Sequence, residues 1–349
     1  MSGAAGAGGA AAAAPSSGGP AGSPSEPAEA SRVADEPAAG ALPEVDVVVI
    51  GGGPAGLSAA LNLARARASV VLVDAGRPRN AATLRSHGYL TRDGVSPIEL
   101  RKLGRAELDA YDNVTVVERS TVERVTRDGA DFTVTLAGRG AAALPRVSAR
   151  AVVVATGLRE TLPGIPSLRA FYGITLFSCA ACDGWDLRDR RLALIGETPD
   201  LAARARLLTR WTSTLTVFTN GADTVDAVDE AELAASGVTI DRRPIDDVEG
   251  ERGHVSAVRL ADGERVAIEG GFVRPWWDAQ LDFVADLAPD LDDGGHLVTD
   301  RSGRTSVAGL YAAGDAASPG PQQLIVAAGQ GARVAAVLVH DLVGVRTSH

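Results

Sequence analysis

Short apolar runs and longer segments with helical periodicity alternate along most of this chain. Residues 45–50 (VDVVVI) form a nearly continuous apolar run, which is typical of a strand buried on both faces of a parallel sheet. A glycine-rich turn, a helical segment at 57–66 and a second apolar strand at 69–73 follow it. This order predicts a βαβ unit at the start of the folded chain.

A second strand–helix–strand unit is predicted in the middle of the chain, where strands at 192–195 and 215–218 flank a helix at about 199–211. The other predicted elements are paired strands within 113–136 that turn near Asp128-Gly129, a buried strand at 151–155, a crossover at 161–165, a short strand near Val238, a meander within 255–273 that turns at Asp262-Gly263, a strand ending at Gly314-Asp315 and a helix at 323–342. Together these elements predict the α/β class, with two Rossmann-like three-layer domains.

The composition agrees with close packing of helices on sheets. The 349 residues suffice for about two domains; 45% are hydrophobic and only 4% are aromatic, because Ala, Gly and Val dominate. Residues 1–44 are instead rich in Ala, Gly, Pro and Ser, so we expect a disordered extension there.

Charge and cysteine content narrow the class of protein further. The net charge of −10 argues against nonspecific binding to nucleic acid or to an anionic membrane. No apolar run is expected to reach the roughly 18 to 20 residues that span a membrane, and the N-terminus lacks the pattern of a secretory signal. Two cysteines in C-x-x-C spacing predict a reducing, cytoplasmic location.

The first turn carries a dinucleotide-binding pattern. Residues 51–56 (GGGPAG) match G-x-G-x-x-G between strand and helix, and an acid follows about 20 residues later. The first glycine allows the tight turn, the second lets a diphosphate approach the backbone, and the third lets the helix pack on the strand. The acid would accept hydrogen bonds from ribose hydroxyls, and the helix N-terminus would face the phosphates. The predicted binding residues are Gly51, Gly53, Pro54, Ala55, Gly56 and Asp74; the alternative is a tight turn that binds no ligand.

Both cysteines lie in residues 179–184 (CAACDG), which predict a redox-active dithiol. One helical turn would bring Cys179 and Cys182 within disulfide distance, and a helix N-terminus would favour the thiolate. Asp183 is placed to carry a proton to or from the leaving thiolate. The alternatives are half of a zinc site, for which the five histidines show no ligand-type pairing, or two buried inert thiols.

The order of these motifs resembles the low-molecular-weight thioredoxin reductase family of flavoproteins. The resemblance rests on residues 51–56, the strand end at 155–157 (ATG), residues 179–184 and residues 311–315 (YAAGD). It implies an FAD domain in two pieces, 45–160 and 293–349, with a smaller NAD(P)-type domain carrying the C-x-x-C inserted at 161–292. It also implies FAD as cofactor and a homodimer.

The resemblance assigns roles to particular residues. Cys182 would be the sulfur nearer the flavin, Cys179 the one that exchanges with substrate, and Asp183 the acid/base group. Residues 77–80 (RPRN) and His87-Gly88 resemble a subgroup that includes dithiol oxidases of natural-product pathways, so Asn80 and His87 are either flavin contacts or ordinary loop residues. The further implied flavin-binding residues are Val122, Thr156, Gly157, Gly314, Asp315, Gln323 and Leu324.

The inserted domain departs from the family pattern. Residues 196–201 (GETPDL) keep only the first glycine of the second fingerprint, Thr198 adds a side chain where a diphosphate would approach, and Glu197 adds negative charge. Residues 218–221 (FTNG) lack the arginines that bind a 2′-phosphate. These changes predict weakened NAD(P)H binding. Trp276-Trp277 would form either an aromatic wall near this site or interdomain packing.

These observations lead to one preferred function and three alternatives. The preferred function is an FAD-dependent dithiol oxidase that forms a disulfide in a small molecule or peptide, with O2 as acceptor. The alternatives are an NAD(P)H-dependent disulfide reductase, an enzyme that uses ferredoxin or another flavoprotein in place of O2, and a non-catalytic redox sensor.

Overall fold

The computed structural model describes residues 42–317 and 320–345. Most of the predicted N-terminal extension lies outside the described residues, but its last position, Glu44, already begins the first strand. The strands are β1 (Glu44–Ile50), β2 (Val70–Asp74), β3 (Val114–Glu118), β4 (Ser120–Asp128), β5 (Asp131–Gly138), β6 (Arg146–Val154), β7 (Arg159–Thr161), β8 (Leu176–Phe177), β9 (Leu192–Gly196), β10 (Leu215–Phe218), β11 (Val238–Asp241), β12 (Ile245–Glu251), β13 (His254–Leu260), β14 (Arg265–Ala267), β15 (Gly270–Arg274), β16 (Trp276–Asp278) and β17 (Leu310–Ala312).

Helices connect these strands and cover the sheets. The α-helices are α1 (Pro54–Arg65), α2 (Pro97–Leu108), α3 (Leu168–Phe171), α4 (Ala180–Asp183), α5 (Leu201–Leu208), α6 (Ala227–Ala235) and α7 (Leu324–Leu342). Short 3₁₀ helices occur at Arg79–Ala82, Gly140–Ala142, Asp282–Leu287 and Gly314–Ala316.

The first sheet joins strands from both ends of the described chain. Its order is β3-β2-β1-β6-β5-β4, and β17 pairs with β6. The β3-β2-β1-β6-β17 portion is parallel, whereas β4 and β5 form the predicted antiparallel hairpin. Val47 and Val49 of β1 pack in the core beneath α1 and α7, while Val48 and Ile50 face the opposite core. The apolar run therefore predicts a strand buried on both faces correctly.

The second sheet has the order β11-β10-β9-β15-β8 and is parallel throughout. Leu192 and Leu194 face α5 and α6, whereas Ala193 and Ile195 face the antiparallel sheet β12-β13-β14. The predicted meander is correct for β13 and β14 but wrong for β15. Phe272 of β15 is buried in the core beneath α5 and α6, and Val273 is buried in the core beneath the antiparallel sheet. This strand therefore belongs in the sheet that is covered on both faces.

Both sheets confirm the predicted α/β fold class of two Rossmann-like units. We propose the predicted boundaries near residues 160 and 293 as domain boundaries. This proposal is supported by the chain connectivity, since β1–β6 and β17 share the first sheet and most strands between them form the second and third sheets.

Helix α7 is an exception to the prediction that no apolar segment is long enough to span a membrane. Its 19 residues are long and apolar enough, by length and composition alone, to cross a membrane. One face of α7 packs against α1, and this face includes Gly331, Val334 and Leu338. A Cβ atom added at Gly331 would lie 2.0 Å from the carbonyl oxygen of Ala55, so glycine allows the two helix backbones to touch.

This contact yields a stability prediction. Gly331→Ala should lower the free energy of unfolding by about 1 to 3 kcal/mol, because α7 must move away from α1. The matched control is Gly329→Ala on the same helix, where an added Cβ meets no atom within 4 Å. This control should be neutral or stabilising by up to about 1 kcal/mol through helix propensity. Chemical denaturation in saturating FAD measures the free energy of unfolding of both variants. Equal changes in the two variants would contradict the assigned packing.

Candidate active site

A cavity of about 350 Å³, here called the dinucleotide cavity, opens at the carboxyl ends of the parallel strands of the first sheet. It brings together most predicted cofactor residues from distant parts of the chain. Those that line it are Gly51, Gly53, Pro54, Ala55, Asp74, Asn80, Val122, Thr156, Gly157, Gly314, Asp315, Gln323 and Leu324. Gly56 and His87 are not among its lining residues.

The glycine turn has the geometry that the fingerprint requires. Gly51 has φ of 115°, and an added Cβ would lie 2.2 Å from the carbonyl oxygen of Ala155. A Cβ at Gly56 would lie 1.8 Å from the carbonyl oxygen of Gly51, which explains its packing position outside the cavity lining. A Cβ at Gly53 would meet no atom within 4 Å. The turn is thus closed on its protein side and leaves the Gly53 backbone accessible to a ligand.

Asp74 ends β2 and is 5% exposed. Its Oδ1 accepts the Gly76 backbone N–H at 2.8 Å, and its Oδ2 accepts hydrogen bonds from Arg101 Nη2 at 2.6 Å and Arg105 Nη1 at 3.1 Å. Arg101 also lines the cavity, and the sequence analysis missed it. Arg101 and Arg105 are four residues apart and therefore lie on one face of α2. This spacing was the sequence signal that could have identified them as partners of one carboxylate.

Asp315 lies in the short turn after β17 and is bound by a second arginine that the sequence analysis missed. Arg79 Nη2 donates to Asp315 Oδ2 at 2.7 Å across 236 residues of chain. Burial raises the pKa of Asp315, and the Arg79 charge opposes this effect. The Arg79 guanidinium also lies 5.7 Å from the Trp277 ring centroid. Arg79 therefore connects the first sheet to the segment that follows β15.

These residues fit FAD. The open backbone at Gly53 and the helix N-terminus of α1 suit a diphosphate, and Asp74 and Asp315 supply carboxylates for hydroxyl groups. Arg79 and Arg101 add positive charge to the same cavity. FAD, when bound here, would supply an acceptor for an electron pair.

The cysteines line a second, smaller cavity of about 120 Å³, here called the disulfide cavity. Cys179 and Cys182 are bonded to each other, and Cys179 is the N-cap residue of α4, as the spacing predicts. Among the described residues no group of three or more His, Cys, Asp or Glu side chains could hold a metal ion. The two cavities share Arg79, Asn80, Gln322, Gln323 and Leu324. The disulfide therefore adjoins the predicted flavin site.

Asp183 also lines the disulfide cavity. Burial raises its pKa to about 7; the nearby His87 lowers this pKa and Asp186 raises it. A carboxyl group with this pKa exists in both protonation states near neutral pH, which suits acid/base work.

Tyr172 and Glu160 are further cavity residues that the sequence analysis missed. The Tyr172 hydroxyl donates to Glu160 Oε1 at 2.6 Å, and burial together with the Glu160 charge raises the tyrosine pKa. No local sequence signal marked this pair, whose partners come from β7 and from the segment after α3.

Side chains of the altered loop of the second sheet bind neighbouring side chains of the protein. Arg274 donates from Nε and Thr198 donates from Oγ1 to the Asp200 carboxylate, at 2.9 and 2.8 Å. Burial alone would raise the pKa of Asp200, but these hydrogen bonds and the Arg274 charge outweigh it and hold the pKa at about 2. Glu197 Oε1 accepts from Asn220 Nδ2 at 2.6 Å. An internal carboxylate thus lies at the N-terminus of α5, where an intact dinucleotide fingerprint would bind a diphosphate.

The two tryptophans differ in their surroundings. Trp276 is 52% exposed, whereas Trp277 is partly buried against the core of the first sheet. The Arg274 guanidinium lies 4.0 Å from the Trp277 ring centroid, on the same ring system that Arg79 approaches. Trp277 thus fits the packing hypothesis better than Trp276 does.

Fold and site together define a two-unit nucleotide-binding oxidoreductase with a redox disulfide, and comparisons with known proteins agree. Residues 45–331 match the model of the family described as pyridine nucleotide-disulphide oxidoreductase, so the chain belongs to this family. It is 30% identical over 282 residues to the thioredoxin reductase tcpT of Claviceps purpurea, covering 78% of this chain and 86% of that protein. It is 34% identical over 196 residues to a probable thioredoxin reductase of Arthroderma benhamiae, covering 55% of this chain but only 47% of that protein.

A solved structure, that of HlmI, shares 37% identity with a TM-score of 0.81, covering 86% of this chain and 93% of that one. These findings confirm the thioredoxin reductase-like resemblance and the prediction of an FAD-binding enzyme.

The Asp315–Arg79 pair leads to a prediction about cofactor binding. Asp315→Asn keeps the side-chain shape but removes the charge, so FAD affinity should fall roughly ten- to hundredfold through loss of a charged hydrogen bond. The FAD content per chain after gel filtration, with circular dichroism to verify folding, measures this effect. Asp293→Asn, at an exposed residue outside both cavities, is the control. Full FAD occupancy of the Asp315 variant would argue against the assignment.

The pKa of Asp183 leads to a prediction about pH. A base must be ionised, so the rate at which a dithiol reduces the enzyme should rise with pH through about 7. Asp183→Asn should remove this step and lower the rate at pH 8 at least tenfold. Asp189→Asn, an exposed change in the same segment, should leave the profile unchanged. A variant that retains the wild-type profile would exclude Asp183 as the base.

Proposed function

We propose that this protein is an FAD-dependent dithiol oxidase that forms a disulfide in a small molecule or peptide and uses dioxygen as acceptor. One observation carries the proposal. Both cysteines and Asp183 line the disulfide cavity, which adjoins the dinucleotide cavity, whereas Asp200 at the second nucleotide loop is paired with Arg274. Electrons can therefore enter from the dithiol side without a nicotinamide.

The reaction at the disulfide balances as two thiol exchanges. One substrate thiolate attacks Cys179 Sγ, the Cys179–Cys182 bond breaks, and Cys182 leaves as a thiolate. The second substrate thiol loses its proton and attacks the substrate sulfur of the mixed disulfide, which releases Cys179. The substrate has then lost two electrons and two protons, and the cysteine pair has gained the two electrons. The residues that line the dinucleotide cavity would hold FAD, which would supply the acceptor for this electron pair. Dioxygen would then take up the two electrons and two protons as hydrogen peroxide.

The second candidate is an NAD(P)H-dependent disulfide reductase. It is supported by the family match, which includes the second sheet, and by the relatives, which are named thioredoxin reductases. For such a function the Asp200–Arg274 pair would have to open. An enzyme with ferredoxin or another flavoprotein as acceptor, and a redox sensor without turnover, are outcomes that the same experiment separates.

Anaerobic visible spectroscopy of the FAD-loaded protein tests the proposal. NADPH, NADH and dithiothreitol are added in separate cuvettes. We expect bleaching by dithiothreitol alone, recovery of colour in air, and more than one dithiol oxidised per enzyme with matching hydrogen peroxide. Prompt bleaching by a nicotinamide would establish the reductase instead. Bleaching without recovery in air would indicate another acceptor, and recovery without turnover would indicate a sensor.

Cys182→Ser is the matched variant for this experiment. It should keep FAD but lose bleaching by dithiothreitol, because the disulfide cannot form. Retained turnover in this variant would show that electrons reach FAD without the cysteine pair.

The homodimer and the cytoplasmic location are also proposals. The first is supported by the family resemblance and by exposed apolar side chains at Leu90 and Ile98, and the second by the C-x-x-C spacing alone. Light scattering of the purified protein tests the first and cell fractionation tests the second.

A further inference from the structure

His87 lies in the disulfide cavity together with Cys179, Cys182 and Asp183. Its side chain is 19% exposed, and the ring is held between two carboxylates. Nε2 is 3.2 Å from Asp186 Oδ2, and Nδ1 is 3.6 Å from Asp93 Oδ1. The histidine thus has a cavity position that the flavin-contact hypothesis did not include.

The loop that carries His87 is fixed by its own backbone. Ser86 N–H donates to the Val95 carbonyl at 2.7 Å, and Gly94 N–H donates to the Ser86 carbonyl at 2.9 Å, so the loop closes on itself. Gly88 N–H donates to Asp93 Oδ1 at 2.8 Å. This hydrogen bond is the main cause that lowers the pKa of Asp93, and the His87 charge adds to it. Asp93 therefore remains an ionised carboxylate facing the histidine.

The second carboxylate belongs to the disulfide segment. Asp186 follows α4 by three residues, so the His87–Asp186 contact connects the closed loop to the turn that holds the cysteines. Arg79, Arg85 and the Tyr172–Glu160 pair are the other charged or titratable groups that line this cavity. Both ring nitrogens of His87 thus lie near a carboxylate, which fixes the orientation of the ring in the cavity.

A buried hydroxyl in the same cavity also points to a ligand. Ser86 is 5% exposed and lines the disulfide cavity, and its Oγ has no hydrogen-bond partner among the described residues. A buried hydroxyl without a partner costs free energy, so a polar group of a bound substrate would satisfy it.

We propose that His87 is the base that takes the proton from the first substrate thiol, and that Asp186 and Asp93 hold its ring in position. The inference rests on the proposed function. The first thiol gives its proton to His87 Nε2 or Nδ1, its sulfur attacks Cys179, and Cys182 leaves with the bond's electron pair. The second thiol gives its proton to Asp183. Two protons and two electrons leave the substrate, and each has a named acceptor.

His87→Gln tests the inference in anaerobic stopped-flow reduction of the FAD-loaded protein by dithiothreitol between pH 6 and 9.5. At pH 7 the bleaching rate should fall roughly ten- to thousandfold, as expected for loss of a general base. Above about pH 9 solvent supplies the thiolate, since thiols ionise near pH 8.5, and the variant should recover to within about threefold of wild type. FAD content should be unchanged. His254→Gln, an exposed histidine outside this cavity, is the control.

Asp186→Asn tests the positioning role. Removing one carboxylate should lower the rate at pH 7 less than His87→Gln does, because the imidazole remains and only one of its two carboxylate contacts is lost. This loss should shrink above about pH 9, where solvent supplies the thiolate. An equal loss at pH 7 and at pH 9.5 for His87→Gln would show a merely structural role and overturn the inference. An unchanged rate would overturn it as well.

The failure of the proposed function is distinguishable from the failure of this inference. Wild-type bleaching by a nicotinamide, or no recovery in air, would reject the oxidase while dithiothreitol still reports the thiol step. The ratio of wild-type to variant rates, and its dependence on pH, decides the role of His87 in either case.

Discussion

The close backbone contacts around the glycine turn are the constraint on which the rest of the structure depends. Gly51 lies against the Ala155 carbonyl, Gly56 against Gly51, and Gly331 and Gly314 against Ala55, each at a distance that a Cβ atom would not allow. These contacts bring β1, β6, β17 and two helices to one point. A larger side chain at any of these positions would push the neighbouring backbones apart beside the dinucleotide cavity.

A chain of charged groups extends from that cavity to the second sheet. Asp315 binds Arg79, Arg79 and Arg274 approach the same Trp277 ring, and Arg274 binds Asp200. The predicted flavin site and the altered nucleotide loop are thereby connected through two ion pairs with the Trp277 ring between them. A negatively charged diphosphate at that loop would compete with the ionised Asp200 for Arg274. This competition supports the proposed entry of electrons at the disulfide rather than from a nicotinamide.

The disulfide cavity contains two groups that can accept protons, Asp183 and His87, and their surroundings differ. Asp183 is buried, which raises its pKa towards neutrality, whereas His87 has a carboxylate near each ring nitrogen. Burial disfavours charge on the acid, whereas the two carboxylates hold the histidine ring in position. Two groups beside one disulfide thus suit the removal of two protons, one for each substrate thiol.

The sequence by itself determined the features that depend on short spacings. The turn at 51–56, the disulfide at 179 and 182 and the doubly buried strands follow from local geometry and from which side chains avoid water, and the order of motifs indicated the family and FAD. Only the tertiary structure decided the partners of Arg79, Arg101 and His87 and the place of β15. Arg79 and Asp315 are 236 residues apart, and no periodicity along a chain reports which distant side chains its folding brings within hydrogen-bond distance.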